Sequence, residues 1–418
     1  MKRLIISLLL LSNVVFTQEV YLDILWTKNI QAAWQFAWVN AVQQTTDGGY
    51  VIAGDIYDSV WDDLDYYLIK TDSEGNEEWN QTFGGGNSDW DDARAIQQTS
   101  DGGYIIVGTT FLIKTDSEGN EEWINENISG NSVQQTTDGG YIIGGTSVQQ
   151  TTDGGYITLG ASLIKTEADG DTLWTKTFGG APLIKTDADG DTLWTKTFNG
   201  NSVQQTTDGG YIITGADVGL IKTDSDGNEQ WNQTFGGGWG NNVQQTTDGG
   251  YVIGATTGWD DTDDVWLIKT DSNGTEEWNQ TIFGVFWDGE CVQQTTDGGY
   301  IVTVNDWGSP WLIKLAPFGI VLPDTFELSE DGLLAVDFTP YLINNYSDTS
   351  RVLTAAGNVY IDVAIDTFLV TFTADTNWNG YEDIVFTIDD QDLSFADSDT
   401  VRVSVLAVND APVITALD

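Results

Sequence analysis

The phrase Gln-Gln-Thr-(Thr/Ser)-Asp-Gly-Gly-Tyr occurs seven times in this chain, starting at Gln43, Gln97, Gln134, Gln149, Gln204, Gln244 and Gln293. A second phrase, Leu-Ile-Lys, also occurs seven times, starting at Leu68, Leu112, Leu163, Leu183, Leu220, Leu267 and Leu312. Such self-similarity constrains the fold more than any local motif. Each unit must be one supersecondary piece that buries its apolar face against its neighbours. Residues 92–123 show one unit in full. Alternation over 93–98 predicts a strand, A. Thr99-Ser100-Asp101-Gly102-Gly103 predicts a turn, because Gly accepts positive φ and Asp bonds its own backbone. The β-branched run 104–108 predicts strand B. Residues 111–115 predict strand C, Asp116 to Asn120 a second turn, and the segment around Trp123 strand D. Four short antiparallel strands with tight turns make one blade of a β-propeller. Helical periodicity is absent.

The order breaks in the middle. Residues 132–160 carry A and B twice, and residues 163–198 then carry C and D twice. The simplest expectation is one A-B-A-B blade followed by one C-D-C-D blade. The last repeat has A, B and C but no following Trp strand. Asp23-Ile24-Leu25-Trp26-Thr27-Lys28 matches the D strand Asp171-Thr172-Leu173-Trp174-Thr175-Lys176. The N-terminal segment is therefore expected to supply the last D strand, which closes the ring and removes an exposed edge. The fold class is all-β: a propeller of about seven blades with N-terminal strand closure, plus a C-terminal antiparallel β-sandwich.

On these residues the chain resembles the secreted bacterial β-propellers built from QQTxDGGYIIxG…LIKTDxxGNxxW repeats, over about three quarters of its length. They relate loosely to kelch-like and quinoprotein-like propellers. The resemblance implies a fold and export, with a D-strand Trp docking each blade on the next.

Residues 1–18 read as an export signal, with Lys2 and Arg3 before an apolar run over 4–11. No segment approaches the ~20 apolar residues of a spanning helix, so no membrane span is expected and the destination is the medium or the cell surface. The propeller is expected over 19–320. Net charge is −49, from 15 basic and 64 acidic residues. Such a surface repels nucleic acid and is compatible with divalent cations, so Ca²⁺ is the one cofactor considered. Histidine is absent, which removes imidazole bases and most zinc sites. Cys291 is the single cysteine. It aligns with Ala41, Ala95, Ser132, Ser147 and Ser202, and is expected to be a buried, inert thiol. A monomer is expected.

Residues 321–418 lose the repeat. Alternation at Val359, Ile361, Val363 and Ile365, at Ile384, Phe386 and Ile388, and at Val401, Val403 and Val405 predicts sandwich strands. Glu330-Asp331-Gly332, Asn377-Trp378-Asn379-Gly380 and Val408-Asn409-Asp410-Ala411-Pro412-Val413 resemble cadherin-like or Ig-like tandem modules of bacterial surface proteins. That resemblance implies calcium near Glu330, Asp331, Asn409 and Asp410.

The Asp-rich C–D turns recur in every blade and lack an EF-hand's distal Glu, so they are expected to be structural. The unrepeated insertions are different. In a four-stranded meander the A–B and C–D turns share one face, and the B–C and D–A links share the other. Trp61, Asp62, Asp63 and Asp65, Trp90, Asp91 and Asp92, Trp259, Asp260 and Asp261, Trp287, and Asp306 and Trp307 all fall in B–C or D–A links. Trp stacks on sugar rings, and carboxylates accept hydroxyl hydrogen bonds. The leading expectation is a non-enzymatic extracellular binding or adhesion protein that meets a glycan or protein there. The alternative is a polysaccharide-acting enzyme using two carboxylates on that face, a chemistry that needs no histidine. That the same tryptophans merely cap blade ends stays open.

Overall fold

A computed structural model describes residues 24–30, 37–58, 63–84, 91–179, 183–198, 200–257, 264–282, 288–306, 309–316, 319–320, 322–323, 325–330, 332–343, 351–390 and 395–408. Among the described residues, seven four-stranded antiparallel sheets form the repeat region. Blade 1 comprises Ala37–Gln44, Tyr50–Asp58, Asp63–Thr71 and Glu77–Phe83. Blade 2 comprises Ala93–Gln98, Tyr104–Gly108, Leu112–Thr115 and Glu121–Asn125. Blade 5 is Ser202–Gln205, Tyr211–Thr214, Gly219–Thr223 and Glu229–Thr234, and blade 6 is Trp239–Gln245, Tyr251–Thr256, Val265–Thr270 and Glu276–Ile282. Blade 7 takes Asp288–Gln294, Tyr300–Asp306 and Ser309–Leu315 from the end of the repeats and Ile24–Asn29 from the N-terminal segment. Trp26 pairs with Lys314 and Lys28 with Leu312, as expected for closure.

The middle two blades depart from expectation. Blade 3 joins Ser132–Gln135 and Tyr141–Gly144 to Ser162–Thr166 and Thr172–Thr177. Blade 4 joins Ser147–Gln150 and Tyr156–Leu159 to Leu183–Thr186 and Thr192–Lys196. The halves interleave, and the A-B-A-B and C-D-C-D sheets are not formed. The buried lysine of strand C explains this. Lys165 lies 3.0 Å from Asp138 and Lys185 lies 2.9 Å from Asp153, each Asp standing in the A–B turn of the same blade. A C-D-C-D sheet has no A–B turn, so it would bury two ammonium groups without a carboxylate, a cost of several kcal/mol each. Reach then decides which halves pair. Only residues 197–201 separate Lys196 from Ser202 of blade 5, roughly 20 Å at full extension. The second C–D pair must therefore lie in the blade beside blade 5.

Three contacts repeat around the ring. The first concerns the inner edge of each A strand. The first Gln of each pair accepts, through Oε1, the backbone N–H of the second Gln in the next blade, at 2.5–2.7 Å in all seven cases. The second Gln's Oε1 accepts the N–H of the residue after the turn Thr in the preceding blade, at 2.8–2.9 Å, again seven times. The second contact is the Lys–Asp pair inside every blade, at 2.8–3.0 Å. The second Gly of the Asp-Gly-Gly turn is required beside it, since a Cβ at Gly49 would stand 2.1 Å from the Thr71 carbonyl oxygen and 2.7 Å from Lys70 Nζ. The third is the D-strand Trp, whose ring meets the strand-B Tyr of the next blade at 5.5–5.9 Å, mostly edge-on. That Trp also covers the next C–D turn where the glycine has φ near +75°, as Trp26 does over Gly75.

Residues 319–408 form two larger sheets around one core. Thr325–Ser329, Phe395–Leu406, Gly380–Asp390 and Arg351–Ala356 make one, and Leu333–Asp337, Leu369–Ala374 and Ile361–Asp366 make the other. Phe338, Phe372, Phe386, Ile384, Val401 and Val403 are buried between them. Two details differ from the sequence reading. Thr325–Ser329 runs parallel to Phe395–Leu406, because the first strand pairs only with the last and the intervening strands supply the crossover a parallel pair needs. Val359 precedes its strand and is 73% exposed.

Deleting residues 19–30 removes the seventh D strand and reopens an edge. The expected result is a Tm lower by roughly 10 °C or more in a thermal melt, each kcal/mol being worth about 2–4 °C at this size. An unchanged melt would contradict the closure. The Lys–Asp pairs set a second expectation. Partial burial opposes the charge on Asp47, but the Thr45 hydroxyl, Lys70 and the Gly49 amide outweigh it and hold the carboxyl at about 2. Asp208 is held at about 2 in the same way, with Lys222 as its strongest hydrogen-bond partner. A carboxyl depressed in the folded state stabilises above its unfolded value and loses that contribution as pH falls through the folded one. Stability should therefore decline between about pH 4 and pH 2, and Asp208→Asn should flatten part of that decline in denaturant titrations.

Candidate functional site

The two faces of the ring differ in kind. On one, the carboxylates are occupied by their own turns. Asp72 Oδ1 accepts the N–H groups of Glu74 and Asn76, and its Oδ2 accepts from the Asn76 side chain. Asp116 and Asp224 repeat the pattern. These are Asx turns, consistent with a structural role.

The other face is asymmetric. In blades 3, 4 and 5 the A and B strands are four residues long. In blades 6, 7 and 1 they are six to nine. The A–B turns are constant, so the extra length projects toward the B–C and D–A links. Blades 6, 7 and 1 are consecutive in the ring. They form a raised sector on one side of the channel mouth.

The sequence-predicted residues belong mainly to links of that sector. Trp61, Asp62, Trp90, Trp259, Asp260, Asp261, Trp287 and Trp307 lie outside the described residues, and Asp63 and Asp306 are described in backbone only. Asp65 is half-buried, and a Cβ at Gly84 would collide with its carboxylate. Asp91 is 3% exposed, donates its N–H to the Leu64 carbonyl at 2.9 Å, and accepts from the Thr110 hydroxyl. Asp92 pairs with Arg94 at 2.7 Å. Asp91 thus bridges the seam between blades 1 and 2, and Asp92 bonds within blade 2. Glu330 is buried, and its Oε2 accepts the Val408 N–H at 3.1 Å. Asp331, Asn409 and Asp410 lie outside the described residues. Among the described residues no group of three or more acidic or cysteine side chains gathers as a metal site.

The ring encloses a channel. Its middle is lined by the Val or Ile and the first Gln of every A strand, around a cavity of about 320 Å³. At the variable face it opens into a mouth of about 430 Å³ bounded by Asn40, Arg94, Asn131, Thr146, Asn201 and Asn241, one from each of blades 1 to 6, with Cys291 of blade 7 and Asn242 one level down. Cys291 does share the slot of Ala41, Ala95, Ser132, Ser147 and Ser202, but that slot faces the channel. The thiol is half-buried, with Sγ 3.9 Å from the Val42 carbonyl oxygen. Composition alone does not distinguish a small slot in a core from one on a channel wall.

One residue at this mouth works against the fold. Asp55 lies in the outer half of strand B of blade 1, opposite Trp38, where Asn305 of blade 7 stands opposite Asp288. Asn305 is buried and clasps the next blade twice, accepting from Val39 N at 2.8 Å and donating to Val39 O at 2.9 Å. Asp55 has no amide N–H to donate. Asn40 inserts instead, donating to Asp55 Oδ1 at 2.9 Å and to the Ala93 carbonyl at 2.7 Å. Asp55 is 5% exposed. Burial, with the nearby Asp92 charge, pushes its carboxyl up to about 7 despite Asn40 and Arg94. Sequence reasoning missed Asp55 and Arg94. The available signal was departure from the repeat: Asp where blade 7 has Asn, and Arg where five other blades have Asn or Thr and blade 7 has Glu290.

The fold and its mouth define a seven-bladed β-propeller with a funnel at its variable face. No family model and no curated protein matches the chain. Many solved structures are similar to it, two of them as follows. One is a protein of unknown function from Bacteroides caccae, 13% identical, covering 62% of this chain and 86% of its own, with a TM-score of 0.39. The other is YCF48 bound to D1 peptide, 11% identical, covering 72% of this chain and 99% of its own, with a TM-score of 0.47. Neither likeness bears on function.

Asp55→Asn tests the buried carboxyl. A folded-state value raised above the unfolded one contributes stability below about pH 4 and loses it as pH rises through about 7. At pH 8 the Asn variant should be more stable than the parent by about 4 kcal/mol, roughly three units at about 1.4 kcal/mol per unit. At pH 4 the two should nearly coincide. Parallel melting curves from pH 4 to pH 8 would show that Asp55 carries no such penalty.

Proposed function

We propose that this is an extracellular, non-enzymatic binding and adhesion protein whose propeller presents its raised, Trp- and Asp-bearing sector to a glycan or an extracellular protein. One observation carries the reading. Departure from the repeat is concentrated on one face, and there the added strand length is greatest on three consecutive blades and small on blade 2. A ring needs sevenfold sameness to close, so a local surplus serves something other than closure. The residues of the surplus support a glycan in particular. Trp61, Trp90, Trp259, Trp287 and Trp307 are costly on a surface without a use, and their faces suit sugar rings. The export signal at residues 1–18 and the family resemblance of the repeats support an extracellular destination. The C-terminal part reads as a cadherin-like or Ig-like module, with any Ca²⁺ held around Glu330, Asp331, Asn409 and Asp410.

The test is a glycan array with the full chain, in millimolar Ca²⁺ and in EDTA, scored also for release of reducing ends. Replacing Trp61, Trp90, Trp259 and Trp307 by Ala should abolish capture and change stability by only about 0.5 kcal/mol per site. Trp231→Ala should do the reverse, since a D-strand Trp packed between blades costs about 3 kcal/mol to remove. Rim variants that unfold as readily as Trp231→Ala would make those tryptophans structural plugs. Steady release of reducing ends would replace binding by hydrolysis.

A further inference from the structure

We propose that the channel mouth is an end-on subsite for the terminal residue of a neutral glycan, gripped by amide and hydroxyl side chains contributed blade by blade. The inference rests on the glycan reading above and adds the place and the chemistry. The mouth holds about 430 Å³, inside the roughly 300–1,000 Å³ range of small-molecule sites. Its wall carries Asn131, Thr146, Asn201 and Asn241 at equivalent positions in or just before strand A, together with Asn40, whose two amide hydrogens are already given to Asp55 and the Ala93 carbonyl. Asn201 gives one of its own to the Gly240 carbonyl. An amide offers two donors and a carbonyl acceptor, and a hydroxyl offers one donor and two lone pairs. That set matches sugar hydroxyls, which both donate and accept.

Charge narrows the ligand further. Arg94 is the one cation at the mouth among the described residues, and Asp92 neutralises it at 2.7 Å. An anionic sugar would have to break that pair. A divalent cation favours several carboxylates, and the described lining supplies neutral amides instead. One level down, Asn242 Oδ1 is buried without a hydrogen-bond partner among the described residues. An unmade hydrogen bond there costs about 1–3 kcal/mol.

The experiment uses the full chain and a panel of neutral oligosaccharides and free neutral hexoses, followed by saturation-transfer NMR and calorimetry. Three single variants report from three blades: Asn131→Ala, Thr146→Val and Asn201→Ala. Each should weaken binding of the neutral probe at least tenfold while its melting temperature stays within a few degrees of the parent. A free neutral hexose should compete, and glucuronic acid should not. Full binding by all three variants would overturn the subsite and leave the rim reading standing. Competition by glucuronic acid alone would overturn the neutral assignment. If the parent chain bound no glycan, the glycan reading itself would fall.

Discussion

An A strand in this ring has strand B on one side and the open channel on the other, so every second backbone group on its inner edge has no sheet partner. Unpaired edges invite association with other chains. The Gln pair answers this. Each first Gln reaches across the seam to the N–H of the next blade's second Gln, and each second Gln reaches the turn of the blade before it. The same groups recur at the closing seam, where Gln44 meets Gln293 and Thr296 meets Gln44. Each bond contributes about 1 kcal/mol net. Their larger effect is on topology, because the innermost place in any blade can be filled only by a strand that carries the Gln pair.

That requirement combines with a second one to explain the interleaved blades. Strand C brings a buried lysine that must find an aspartate, and the aspartate is built into the turn leaving strand A. A blade is complete only when it owns one Gln-Gln-Thr-Asp-Gly-Gly phrase and one Leu-Ile-Lys phrase. Order along the chain is secondary. The duplicated halves A-B-A-B-C-D-C-D satisfy the rule by threading forward, back and forward again, with links as short as Gly145-Thr146 and Gly160-Ala161. The Trp174–Tyr156 contact confirms the arrangement independently. Trp174 belongs to blade 3 and Tyr156 to blade 4, the same offset as Trp123 and Tyr141 between blades 2 and 3.

This also explains how far the sequence could be read. Blade count, strand order within a blade, N-terminal closure and the docking role of the D-strand Trp were all legible, because each is written in every repeat. The pairing of the duplicated halves was not read. The two C–D segments differ by one residue over their shared phrase, Glu167 against Asp187, so local sequence cannot assign them. The need of each buried lysine for an A–B turn aspartate, together with the short link from Lys196 to Ser202, could have done so. At the site, alternation located the variable face, but not the half of the ring that rises or the mouth it flanks. Those depend on comparing equivalent positions across blades, where Asp55, Arg94 and Asn242 stand out against their counterparts.

Repetition makes such comparison unusually sharp, because the chain carries its own controls. A surface residue in an ordinary domain has no internal reference, and a buried carboxyl there invites several explanations. Here the same slot is filled twice. Asn305 uses it to clasp two backbone groups of the next blade, whereas Asp55 fills it with a group that burial and Asp92 force toward neutrality. A residue that serves closure worse than its counterpart, in the tallest blade and beside the channel mouth, marks where sevenfold sameness has been relaxed. The ring tolerates that relaxation because both Gln circuits remain intact in blade 1. Stability is thus carried by the constant elements near the A–B turns, and the opposite end of each strand is free to vary.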